Sequence, residues 1–284
     1  RVPFSAISAE NGELLSEKIK LRLLTTGREL LNILDESESL TEKALVVANP
    51  SFNIDKSLVL NQKNKSNPAF SSQFRSRDLK SLVWKELPGT SKEGKQIAQI
   101  TNAKYLNREK ATVLGIQKYK SPKILHIASH AFYLSYKDTI EHPLLRSGIV
   151  LAGANQPNLN PNDDGYLTAL EVTNIDLEGT ELAVISGCES GKGDIQSGEG
   201  IYGLKRSIAV AGAKSSLLSL WKVNDIATAA FMENFYKRLK KGEGRAKALY
   251  ETQKEFRNHS EISWRHPNVW AAFQLSGDWR PISF

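Results

Sequence analysis

Short apolar runs punctuate the chain at Ala44–Ala48 (ALVVA), Ile124–Ala128 (ILHIA), Gly148–Leu151, Leu182–Ser186 (LAVIS), Ser216–Leu220 and Val269–Leu275. They are continuous rather than alternating, as expected of strands covered on both faces. Helical spacing fills the intervals. Lys95–Leu106 follows a Pro88-Gly89 turn, Gly200–Ala211 follows a glycine-rich loop, and Ala246–Phe256 follows a Gly-Glu-Gly break. In Ile226–Lys240, Phe231, Phe235 and Leu239 recur four apart on one face. Strand–helix alternation of this kind predicts an α/β fold with a mainly parallel sheet. The polar stretches Asp55–Lys80 and Asn155–Gly165 read as exposed loops. The stretch ELLSEKIKLRLLTTGRELLNIL fits strand and helix equally, and no internal repeat stands out.

Composition narrows the class. The chain has 284 residues, 40% hydrophobic and 24% charged, which suits one large soluble domain or two ordinary ones. No apolar run approaches the roughly 20 residues of a membrane-spanning helix, so no membrane association is expected. The start, RVPFSAISAENGE, has no basic region followed by an apolar core, and no Met, so it reads as a fragment or processed piece. The net charge of +7 comes from basic residues scattered among acids, with no aromatic–basic stripe. That pattern is a solvated surface, and no nucleic-acid partner is expected. One cysteine, Cys188, can form neither an internal disulfide nor a multi-cysteine zinc site. Nothing demands an oxidising compartment, and a cytoplasmic location is expected.

In open α/β sheets, functional groups gather beyond the carboxyl ends of the strands. His130 and Cys188 each lie two residues past an apolar run. A cysteine nucleophile needs a base at such a position, because a thiol of pKa about 8.5 is mostly protonated at neutral pH. Spacing alone fits an inert buried cysteine as well. Glycines around Cys188 favour close substrate approach and leave backbone N–H groups for an oxyanion. His126, four residues before His130, is expected to be a hydrogen-bonded core histidine on the same strand face, since no third metal ligand accompanies the pair. Gly198–Gly203 matches GxGxxG but does not directly follow a strand, so a dinucleotide site is not expected. Asp225 precedes the helix from Ile226 and reads as its N-cap.

The blocks HIASHAF, SGCESGKGD, GEGIYGLKRSIAVAGAKSSLLSLWKVND, NFYKRLKKGEGRAKAL and HPNVWAAFQLSGD, with RVPFSAIS, ALVVANPSF and LPGTSKEGKQIAQI upstream, resemble the CHAT family. These are caspase-like domains often attached to tetratricopeptide repeats and related to separase. The resemblance implies a caspase-like α/β sandwich, a central, mainly parallel sheet between helix layers. Residues 1–121 would form a pseudo-protease-like half and 122–284 the protease half, both within one structural unit. It implies a cysteine endopeptidase in which His130 and Cys188 form the dyad. The backbone N–H groups of Ala131, Gly187 and Cys188 would hold the oxyanion, with no metal or organic cofactor. A protein substrate and a regulatory repeat domain or partner outside this chain are the implied partners. Separase has a similar Leu-Trp-x-Val-x-Asp block, whose last acid lines an arginine pocket. This gives Asp225 a role at P1 and implies cleavage after Arg, with Lys second. Glu189 and Glu199 are the nearest alternative acids. Two positions depart from the family. Ala131 stands where glycine is usual, which would be strained if φ were positive. Gly187 stands where alanine is usual, a change expected to be mild. The competing reading is a catalytically silent CHAT interaction module, and a nucleotide-binding regulator is a third.

Overall fold

A computed structural model describes residues 3–8, 10–34, 41–54, 79, 82–134, 142–160, 162–189 and 199–284. The expected loop Asp55–Lys80 lies outside the described residues, Leu79 excepted. The ambiguous N-terminal stretch forms two short helices, α1 (Leu15–Lys18) and α2 (Arg28–Leu34), joined by non-helical chain. After them come β1 (Leu45–Pro50), α3 (Pro88–Thr101), β2 (Lys104–Arg108), α4 (Val113–Gln117), β3 (Ile124–Ala128) and β4 (His130–Tyr133). The middle of the chain supplies β5 (Ser147–Val150), β6 (Tyr166–Thr168), α5 (Ala169–Val172), β7 (Leu182–Ile185), β8 (Cys188–Glu189) and α6 (Glu199–Val210). The last part is β9 (Ser215–Ser219), α7 (Asp225–Lys240), α8 (Arg245–Arg257), α9 (Pro267–Trp270) and β10 (Phe273–Gly277).

Six strands form the main sheet in the order β10-β9-β7-β3-β1-β2, all parallel except β10. Alternate side chains leave it on opposite faces. Val46, Ile124, Val184 and Leu217 pack with Ile97 of α3, Phe231, Phe235 and Leu239 of α7, and Phe256 of α8. Leu45, Val47, Leu125, Ile127, Ala183, Ile185 and Leu218 pack on the other side with residues of α4, α5 and α6. Both faces are dry, which is why the strands read as continuous apolar runs. The result is the expected three-layer sandwich. The strands β1 and β2, from the expected N-terminal half, pair directly into the sheet beside β3.

Two expected elements are redrawn. The helix expected over Lys95–Leu106 starts at Pro88 and stops at Thr101, where Asn102 takes a left-handed φ of 51° and its N–H bonds back to Ala98 O. Lys104–Arg108 then runs as an edge strand. The apolar stretch Val269–Leu275 divides between α9 and β10. Pro267 opens α9, and the His266 Nδ1 accepts the Asn268 N–H. A second sheet, β6-β5-β4-β8, grows from the carboxyl ends of β3 and β7. It carries the residues of chemical interest.

Candidate active site

At Ser129 and at Ser186–Gly187 the chain leaves the main sheet and resumes as β4 and β8. The Ser129 hydroxyl donates to Val150 O, and the Ser219 hydroxyl donates to Gly187 O, so each bend is tied to a neighbouring strand. β4 and β8 run parallel, and His130 pairs in register with Cys188. Register partners on adjacent parallel strands occupy the same face of a sheet, with strands about 4.8 Å apart. The two expected dyad positions are therefore adjacent at the carboxyl edge of the fold.

His130 is buried and held by a neighbouring segment of chain. Its Nε2 lies 2.7 Å from the Lys85 carbonyl oxygen. A carbonyl only accepts, so Nε2 carries a proton. The Phe52 and Trp84 rings lie 5.2 and 5.4 Å from the imidazole, centroid to centroid. Residues 82–87 thus act as a strap over the histidine, and the strap is pinned. Asn155 Oδ1 accepts the Trp84 N–H at 2.8 Å, and Asn155 Nδ2 donates to Trp84 O at 3.0 Å. Trp84 Nε1 donates to the Tyr166 hydroxyl at 2.9 Å, which donates onward to Ala154 O. The expected loop at Asn155–Gly165 therefore helps position the strap. Sequence reading missed Lys85, Trp84 and Phe52. Lys85 acts through its backbone, which has no side-chain signature, although a tryptophan before Pro88-Gly89 marked the place.

Gly187 is required by close approach. A Cβ there would lie 2.9 Å from Ser129 O and 3.0 Å from Ala131 Cβ. Alanine at this position is not the mild change expected, because two segments of backbone meet there. Ala131 raises no strain. Positive φ occurs outside glycine at Asn49, Asn102, Arg108 and Ser121 among the described residues, and Ala131 sits in the strand with its methyl buried beside Ile201 and Leu220. Leu134 N donates to Arg146 O, which sets the alternation of the β4–β5 ladder. The Ala131 N–H consequently points away from β5 and toward β8, where the parallel ladder with Cys188 and Glu189 takes it up.

His126 is a core histidine, but it does not share a face with His130. The two lie on different strands in different sheets, because the chain bends at Ser129. His126 Nε2 is 3.1 Å from Glu93 Oε1 and its Nδ1 is 3.1 Å from the Tyr236 hydroxyl, all three side chains being fully buried. Burial, and then the Glu93 carboxylate, push the Tyr236 hydroxyl well above its ordinary range, so it remains a donor.

Asp225 is not the N-cap of its own helix. Asn224 is, its Oδ1 accepting from Ile226 N and Ala227 N, and the helix begins at Asp225. Asp225 Oδ2 instead accepts the Gly89 N–H at 2.8 Å. Its carboxylate therefore caps α3 from a neighbouring helix, where the positive end of that helix favours an anion. A Cβ on Gly89 would come within 2.7 Å of Asp225, so only glycine fits this contact. The chain from Lys85 to Gly89 touches both His130 and Asp225, bringing both expected site residues to one segment. Gly198 of the expected GxGxxG stretch and the side chains of Glu189 and Glu199 lie outside the described residues, and Ile201–Gly203 belong to the first turns of α6.

A mainly parallel sheet between two helix layers, with a histidine and a cysteine in register at its carboxyl edge, defines a caspase-like α/β domain. The chain matches the CHAT domain family over residues 1–278 and belongs to it. Among curated proteins it is similar to the human (Homo sapiens) tetratricopeptide repeat protein 28, 32% identical over 117 residues, which is 41% of this chain and 5% of that protein. The mouse (Mus musculus) counterpart is 32% identical over 111 residues, 39% of this chain and 4% of that protein. The matched part thus spans about one-twentieth of those relatives. Among solved structures, the Arg specific cysteine proteinase gingipain R matches with a TM-score of 0.47 and 7% identity, covering 84% of this chain and 47% of that chain. Among the described residues no helix is long and apolar enough to cross a membrane.

Proposed function

We propose that this CHAT domain is a cysteine endopeptidase in which Cys188 is the nucleophile and His130 the acid–base. The observation that carries the reading is the in-register pairing of His130 with Cys188, together with the Lys85 carbonyl on His130 Nε2. The Cys188 thiol gives its proton to His130 Nδ1, and the sulfur attacks the scissile carbonyl carbon. The tetrahedral intermediate collapses as the C–N bond breaks, and the Nδ1 proton passes to the leaving amine. Water, losing a proton to the same nitrogen, then cleaves the thioester and restores the thiol. The Lys85 carbonyl supports the imidazolium that forms at each stage by accepting from Nε2 throughout.

The backbone N–H groups of Ala131, Gly187 and Cys188 are the oxyanion donors in this reading. Because the β4–β8 ladder engages the Ala131 N–H, a substrate carbonyl has to part β8 from β4 as it enters. The same closed ladder favours the second reading, a catalytically silent interaction module. Asp225 is the proposed P1 acid, for substrates cleaved after Arg or Lys. With Oδ2 on Gly89, its contact to a guanidinium is one-pronged, so the preference for Arg over Lys is modest. The repeat proteins among the relatives support a repeat array outside this chain as the regulator; a protein substrate and a cytoplasmic setting complete the proposal.

Peptides differing only at P1 test the reading on wild type, Cys188→Ala and Asp225→Asn. The expected result is cleavage after Arg and Lys, abolished by Cys188→Ala and shifted away from basic P1 residues by Asp225→Asn. Turnover by the Cys188→Ala chain overturns the mechanism. Equal cleavage after Leu and Arg by wild type overturns the role of Asp225.

A further inference from the structure

A groove of about 500 Å³ that His130 does not line lies between β10, α8 and residues 3–5 and 16–23. Its apolar wall includes Leu249, Leu275 and Leu220, the last packing in one cluster with Ala131. The strand that borders it, β10, is the edge of the main sheet.

The ladder register tells which backbone groups of β10 point into the groove. Leu220 N donates to Ala272 O, and Asp278 N donates to Lys214 O. Residues 272, 274, 276 and 278 therefore bond inward to β9, and 273, 275 and 277 present their N–H and C=O outward. Two contacts confirm the alternation. Gly277 N donates to Leu23 O at 2.9 Å, and Phe273 O accepts from Gln253 Nε2 at 3.2 Å. Between them, neither the N–H nor the C=O of Leu275 has a hydrogen-bond partner among the described residues. A half-buried edge residue in an apolar groove, with both backbone groups unpaired, is a template for an added strand.

The rim has a sign. Among the described residues, Lys20, Arg22 (stacked over Trp279) and Lys247 line it with no ion-pair partner, against one unpaired carboxylate, Glu251. Lys18 is paired with Glu13, and Glu17 with Arg257. We propose that this groove binds an extended acidic peptide segment of a partner protein, which pairs with Leu275 as an added strand and places carboxylates against Lys20, Arg22 and Lys247. Symmetric pairing of β10 with β10 of a second copy fits less well. It needs Gly277 N–H and Phe273 O, and Leu23 and Gln253 already hold these.

The test uses the full chain carrying Cys188→Ala, so that it is independent of any peptidase activity. The probes are fluorescein-labelled Glu-Val-Glu-Val-Glu-Val, its Lys-for-Glu counterpart, and the acidic peptide N-methylated at alternate residues. The expected result is saturable anisotropy with the acidic probe. Affinity falls at least tenfold for the lysine probe, for the N-methylated probe and for a Lys20→Glu/Lys247→Glu chain, and hydrogen exchange at Leu275 slows on binding. No saturable binding, or equal binding of all three probes, overturns the proposal. So does a probe-free dimer that Ala246→Trp dissociates, which assigns the groove to a second copy.

Discussion

In the proposed mechanism His130 exchanges protons through Nδ1, because Nε2 is committed to the Lys85 carbonyl. This gives Lys85 a role that no substitution of its own side chain can remove. Gly187 and Gly89 are the other positions where single atoms decide the outcome, since each lies where a Cβ would meet neighbouring backbone. Gly187→Ala is expected to lower stability by about 1–3 kcal/mol through overpacking against Ser129. It should also slow modification of Cys188 by an electrophile, because β8 must move relative to β4. Thermal melting and a labelling time course check both. A melt unchanged from wild type would mean that the strands separate freely here. The buried trio makes a second prediction. His126→Phe leaves the Glu93 carboxyl buried without its partner and should cost about 3–5 kcal/mol in urea unfolding. Replacing both, as Glu93→Leu/His126→Phe, should recover most of that loss, because burying two apolar groups avoids the unpaired charge.

The strap 82–87 runs directly into α3: α3 is docked by Glu93 on His126 and by Gly89 on Asp225, and the strap ahead of it holds His130. Asn155→Ala removes both side-chain ties to Trp84 and should reduce reactivity of the dyad more than it reduces stability. A reduced rate of Cys188 labelling with a melting point within a few degrees of wild type is the expected pattern. On the far side of the sheet, α5 begins with a capping box in which Glu171 Oε2 accepts from Thr168 N and its hydroxyl. Burial foremost, aided by Asp164 and Asp163, raises the Glu171 carboxyl from 4.5 to about 7 despite those two bonds. A carboxyl that holds its proton more tightly when folded stabilises the fold below its unfolded pKa. That contribution is lost as pH rises through the folded value. Stability should therefore fall between pH 4.5 and about 7. Glu171→Gln, which keeps the capping acceptor, should gain on the order of 1–3 kcal/mol over wild type at pH 8 and nothing at pH 4.5. Melting curves at the two pH values decide it, and an equal shift at both would rule out titration of Glu171.

Over the whole molecule, the strands of the main sheet were legible where burial on both faces wrote unbroken apolar runs, as at Ile124–Ala128 and Leu182–Ile185. The short strands were not. β8 has two residues and exists because β4 lies beside it, and β2 carries the polar sequence KYLNR at a sheet edge. His130 and Cys188 were legible from their places after apolar runs and from the blocks around them. Their register was not, since it depends on bends fixed by the Ser129 and Ser219 hydroxyls. Asp225 was legible as a helix-terminal acid, but a sequence does not say which helix a carboxylate caps. All of these features converge on one physical claim, that Cys188 is made reactive by a histidine held in one tautomer beside it. The most direct measurement is mass-spectrometric labelling with an arginyl chloromethyl ketone on wild type and His130→Gln. A single adduct on Cys188 is expected in wild type, forming at least tenfold more slowly in His130→Gln. Equal labelling rates in the two chains, or no adduct on Cys188 in wild type, would contradict it.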